Sequence, residues 1–138
     1  MGKRRKAREI VLKVLYEAEF SDRSADDILA EQIEDRGSGD DVSDYARSLL
    51  ASVGKHGAQL DAAIADAAAN WDFSRISLID RNILRFAMAE LLFFPDIPTK
   101  VIINEAVEIA HKYSSGDAGK FVNGILDRFA HTHRQDTA

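Results

Sequence analysis

The sequence contains no cysteine, which removes disulfides, thiolate zinc sites and cysteine nucleophiles, and fits a reducing compartment. Proline occurs only at 95 and 98, where it stops one helix and starts another. No apolar run reaches the ~18 residues that a membrane span needs, and the basic start lacks the apolar segment and cleavage site of a signal peptide. These absences point to a soluble, cytoplasmic protein. Strand alternation of useful length is missing too. What is present is 138 residues with 46% apolar content, enough for one core and too little for two ordinary domains. The expectation is one domain over 1–138, loose only at 1–3 and 132–138.

Helical periodicity runs almost from end to end. Ala7, Val11, Val14, Leu15 and Ala18 mark a first helix over about 4–20, with Glu9 and Lys13 as an i,i+4 pair. Ser24 caps a short second helix carrying Ile28, Leu29 and Ile33, followed by the linker-like DRGSGDD at 35–41. Tyr45, Ala46, Leu49, Leu50, Val53, Leu60, Ile64 and Ala67 predict one long helix or two stacked ones, bent near Gly54 and Gly57, before a connector with Trp71 and Phe73. Ser77 to Asp80 resembles a capping box that opens LIDRNILRFAMAELLFF, apolar nearly all round and therefore the core helix. A helix over about 98–113 carries Ile102, Ala106, Ile109 and Ala110, and a last one to about 131 carries Phe121, Val122, Ile125, Leu126 and Phe129, with Asp117 or Ser115 as cap. The fold class is all-α, with six or seven helices.

Arrangements that carry catalysis fail one after another. GKFVNG at 119–124 has the gap of a P-loop, but Ile125 and Leu126 stand where Lys and Ser or Thr must meet phosphate and magnesium. His131 and His133 lack further ligands, and Glu105 with Glu108 reads as the wet face of an amphipathic helix. Gly124, inside a helix at a cost of about 1 kcal/mol, reads as tight packing or close approach of a ligand. No enzyme, metal or cofactor is expected.

The positive signal is electrostatic. Lys3, Arg4, Arg5, Lys6 and Arg8 crowd the first eight residues, whereas residues 9–138 hold 13 basic and 23 acidic side chains, a net of −10. Cations in the first turn of a helix oppose its macrodipole at about 0.3–1 kcal/mol each. Their presence fits an anion site, most simply a nucleic-acid backbone, although a flexible basic tail is the alternative. Tyr16 and Phe121 could each stack on a base or pack half-buried.

RRKAREIVLKVLYEAEF at 4–20, DRNILRFAMAEL at 80–91, IPTKVIINEAVEIAHKYS at 97–114 and KFVNGILD at 120–127 together resemble the NusB family of bacterial transcription antitermination factors. The resemblance implies two small helix bundles packed together and no catalysis. It implies binding of the boxA RNA of ribosomal RNA leaders as a heterodimer with NusE, a small-subunit ribosomal protein, within the RNA polymerase antitermination complex. Read-through of terminators and maturation of the transcript would follow, and some members form homodimers. By position, the arginine-rich motif falls on Arg4, Arg5, Lys6 and Arg8, with Lys3 as auxiliary. A second RNA-contacting region falls on Asp117, Lys120 and Phe121, Tyr16 takes a family aromatic position, and the NusE contact falls on Asp80 with Ile76 nearby. Gly116 and Gly119 stand where many members carry longer side chains.

Two rivals differ in class. A related helical domain precedes ribosomal RNA cytosine methyltransferases, but this sequence offers no Gly-rich strand-to-helix turn for S-adenosylmethionine and no catalytic cysteine. A protein adaptor or homodimer could instead pair the basic end with the acidic 21–74 region of another subunit.

Overall fold

Seven helices carry the residues that the computed structural model describes, 2–37, 39–68 and 76–137: α1 (Lys3–Glu19), α2 (Ala25–Arg36), α3 (Asp40–Lys55), α4 (Gly57–Ala67), α5 (Leu78–Phe93), α6 (Thr99–Tyr113) and α7 (Ala118–His133). No strand occurs among the described residues, and the connector with Trp71 and Phe73 lies outside them.

Local chemistry explains the boundaries. The Ser24 hydroxyl accepts the Asp27 N–H at 3.1 Å while Asp26 and Asp27 complement the dipole of α2, which Gly37 closes with φ +60°. The Ser77 hydroxyl likewise accepts the Asp80 N–H at 3.1 Å and starts α5. The reciprocal half of a capping box is not made, because Asp80 Oδ1 is buried without a hydrogen-bond partner among the described residues. The 42–67 segment divides at His56, between the two glycines expected to bend it. Asp117 holds the N-cap position of α7 without a side-chain cap bond, after Gly116 turns the chain with φ +60°.

The core helix is α5. It packs against α1 and α3 on one side and against α4, α6 and α7 on the other, so the helical groups α1–α3 and α4–α7 meet along it. Ile83, Leu84, Phe86, Ala87, Met88 and Ala89 are wholly shielded, which explains a run without a wet face. Burying each large side chain contributes about 1.5–3 kcal/mol.

Two residues of the C-terminal tail bond back to the helices. The Arg134 guanidinium donates to the carbonyls of Glu90, Leu91, Phe94 and Ile97 at 2.7–3.1 Å, caring for the open C-terminal end of α5. Asp136 accepts the Thr99 N–H at 3.0 Å and the Thr99 hydroxyl, capping α6 from outside its own sequence. Gly124 is a further correction: it is exposed, and a Cβ there would meet nothing within 4 Å, so close packing does not explain it.

Candidate nucleic-acid interface

The five cations that open α1 fan out. Lys3 reaches Asp41 at 2.9 Å in a fully wet pair, and Arg4 lies over the Tyr45 ring at 5.2 Å. Arg5 grips Glu105 with both ends of its fork, 2.8 and 2.6 Å, in a half-buried site. Lys6 is exposed, with no ion-pair partner among the described residues.

Arg8 turns the other way. Its side chain is 2% exposed, with Nε 3.0 and 2.9 Å from the two oxygens of Glu90 and Nη1 3.5 Å from Glu105. Tyr45 also donates to Glu90. Burial pushes the Glu90 carboxyl up, against the pull of Arg8 and Tyr45. Arg8 therefore does not present a phosphate contact, because leaving this site would strand a buried carboxylate. Glu105, expected on a wet face, instead ties α6 to α1; the Arg5 hydrogen bonds hold its carboxyl below the usual range. The exposed basic edge is thus Lys3, Arg4 and Lys6, with Arg5 partly engaged.

The fold adds basic residues that the sequence did not single out. Lys6 of α1, Arg36 of α2 and Lys112 of α6 line one cleft of about 520 Å³ together with Gly2, Arg5, Glu9 and Ile10. The expected Glu9–Lys13 pair is replaced: Glu9 accepts from Lys112 at 3.1 Å and from the Tyr113 hydroxyl at 2.7 Å. Lys13 stands near Arg36, Lys112 and the Tyr113 ring, and burial followed by the Arg36 charge lowers its ammonium. Arg36 and Lys112 lie 30 and 106 positions from Lys6, so only tertiary packing reveals the convergence.

Elsewhere the expected site residues separate. Asp117 and Lys120 are exposed at the start of α7, and Phe121 is half-buried against the core. The ring of His111 lies over Gly119, where a Cβ would push it aside. Tyr16 does not join them. With Phe20, Leu12, Lys13, Ile79 and Tyr113 it lines an almost wholly apolar groove of about 550 Å³, and Tyr16 and Phe20, ring centroids 5.2 Å apart, are 43% and 73% exposed. The groove adjoins Asp80, which is half-buried, through Ile79. Ile76 is 6% exposed and belongs to the core, so its side chain is not a contact surface.

A family model described as the NusB family matches residues 5–131. The chain is a member of the NusB family. The transcription antitermination protein NusB of Geobacter sulfurreducens is 40% identical over 133 residues, covering 96% of both chains. The solved structure of T. maritima NusB superposes with TM-score 0.88 at 41% identity, covering 96% of this chain and 93% of that one. A chain in the crystal structure of the antitermination factors NusB and NusE in complex with dsRNA gives TM-score 0.85 at 27% identity, covering 94% and 97%. These NusB relatives carry names of transcription factors and not of enzymes. Among the described residues no helix is long and apolar enough to cross a membrane.

Proposed function

We propose that this chain binds the boxA element of ribosomal RNA leader transcripts through Lys3, Arg4 and Lys6, partnered by NusE, and promotes terminator read-through and maturation of the transcript. The observation that carries the proposal is the exposed cationic edge of α1 in a member of a family with a solved NusB–NusE–RNA complex. Arg4 supplies a bidentate fork for phosphate and the two lysines supply point charges. Lys3 is redirected at little cost, since its pair with Asp41 is exposed and screened by solvent. Lys120, with Asp117 and Phe121, is the second contact region. The apolar groove holding Tyr16 and Phe20 beside Asp80 is assigned to the ribosomal-protein partner, since exposed aromatics over an apolar groove suit a protein interface better than a phosphate backbone.

The test is RNA binding with a boxA-type and a scrambled strand, with and without NusE. Preference for boxA that sharpens with the partner is expected. Equal affinity for both strands in all four mixtures would reduce the reading to generic polyanion attraction. Sedimentation of the protein alone, with and without added salt, tests the homodimer alternative, in which the basic end pairs with the acidic 21–74 region of another subunit.

A further inference from the structure

We infer that the cleft between α1, α2 and α6 is a second phosphate track, in which Lys6 and Arg36, with Lys13 next along α1, hold the phosphodiester backbone of RNA as it leaves the α1 edge. The inference rests on the RNA-binding reading above and extends it to Lys13 and Arg36, side chains that the family resemblance does not assign.

The charge balance within the cleft carries it. Arg5 and Arg8 are offset by Glu105 and Glu90, and Lys112 is offset by Glu9. Lys6, Lys13 and Arg36 keep no ion-pair partner among the described residues. Two cations without an ion-pair partner, Lys6 of α1 and Arg36 of α2, therefore line one concavity whose acid Glu9 is already held by Lys112 and Tyr113, while Lys13, further along α1, borders the neighbouring groove. A place in the last turn of α2 favours a cation at 36 on helix-dipole grounds, yet it does not require that side chain to line a cleft with Lys6, and its charge also acts on Lys13. An incoming phosphodiester offsets that charge. Arg36 offers a fork to one phosphate while Lys6 and Lys13 act as point charges along the strand.

Neighbouring acids set the direction. Asp40 and Asp41 at the start of α3 border Lys3 and Lys6 on the opposite side, so a polyanion is turned away from α3 and toward Arg36. The cleft volume, about 520 Å³, falls in the range that accommodates a small ligand or a nucleotide-sized segment.

The test compares the full-length protein with Arg36→Gln, with Arg36→Gln/Lys13→Gln and with Lys3→Gln/Arg4→Gln, using fluorescence anisotropy of a single-stranded boxA-type RNA over a salt series. Arg36 is exposed at a helix end, so the single variant keeps its fold; melting curves verify this for all three. Loss of two phosphate contacts should make the log–log salt slope of the cleft double variant shallower by about 1.4, with a smaller loss for Arg36→Gln alone. A slope unchanged in the cleft variants but shallower in Lys3→Gln/Arg4→Gln overturns the track and leaves the proposed function standing. Absence of RNA binding by the wild type overturns both. Saturable binding of inorganic tripolyphosphate, tighter than that of RNA and abolished in the cleft variants, would assign the site to a free phosphate compound and overturn the RNA track.

Discussion

Arg8 and Glu90 face each other across the α1–α5 interface, with Nε 3.0 and 2.9 Å from the two carboxylate oxygens and both side chains sealed from solvent. Removing one partner leaves the other charged and buried, which costs about 3–5 kcal/mol. Arg8→Ala and Glu90→Ala should each lower unfolding free energy by that amount in urea titrations. Arg8→Met/Glu90→Leu should recover most of it, because two apolar side chains leave no orphan charge. Single-variant losses below about 1 kcal/mol would show that water reaches the pair.

Arg4 and Lys6 are expected to behave in the opposite sense. Arg4→Gln/Lys6→Gln touches no buried bond, so stability should change by less than about 0.5 kcal/mol. RNA affinity should fall, and the salt slope should become shallower by about 1.4. A destabilised variant with an unchanged slope would count against the phosphate role.

Glu105 gives a pH signature. The Arg5 hydrogen bonds, opposed by burial and aided by the Arg5 and Arg8 charges, hold its carboxyl below the usual range. Below its unfolded value of about 4.3 the unfolded state therefore binds more protons than the native one. The stabilisation is complete above that value and disappears as pH falls through the native one. Glu9 acts in the same sense: burial raises its carboxyl, but hydrogen bonds from Tyr113 and Lys112 and nearby lysine charges outweigh it. Glu90 acts in reverse, since its raised carboxyl makes its contribution decline as pH rises. The stability difference between wild type and Glu105→Gln isolates one group. It should be largest near neutral pH and shrink below about pH 4; a difference independent of pH would contradict the pairing.

Arg134 should matter far more than a tail residue ordinarily does. Its four carbonyl partners lie at the end of α5 and in the turn to α6, and the side chain is 9% exposed. Arg134→Ala should cost about 2–3 kcal/mol and speed hydrogen exchange in the last turn of α5. Exchange unaltered there would mean that water replaces the guanidinium without loss.

Phe20 tests the partner groove. It is 73% exposed, so Phe20→Ser should leave stability nearly unchanged while weakening association with the ribosomal-protein partner by at least about 1 kcal/mol. Calorimetry of the two proteins measures this directly, and undiminished heat and affinity would move the partner elsewhere.

The helices were legible because their signals are local: Ser24 and Ser77 cap as their positions predict, and the unbroken apolar run of α5 announces its place at the centre. Pairings between distant segments were not. Glu9 has Lys13 one turn away, yet it turns to Lys112 and Tyr113, which are invisible to a reading of neighbours. Arg36 joins the basic cleft for the same reason. Arg8 could have been recognised as inward-facing, since it lies on one stripe with Val11, Leu12 and Leu15, and since Glu90 is a lone acid among buried apolar positions that demands a cation. The basic residues of α1 are contiguous in sequence yet divide in the fold, Arg8 and Arg5 holding it together and Lys3, Arg4 and Lys6 left for a ligand.

The separation of 82 positions between Arg8 and Glu90 also sets a schedule. At the ~5–20 residues per second of ribosomal synthesis, about 4–16 s pass between the appearance of the guanidinium and that of its counter-charge. During that interval Arg8 has no carboxylate from α5 to settle against, although α1 can already pack on α2 and α3. The guanidinium that ends up sealed in the α1–α5 interface is therefore made early and locked late, and until Glu90 emerges it is open to surrounding polyanions.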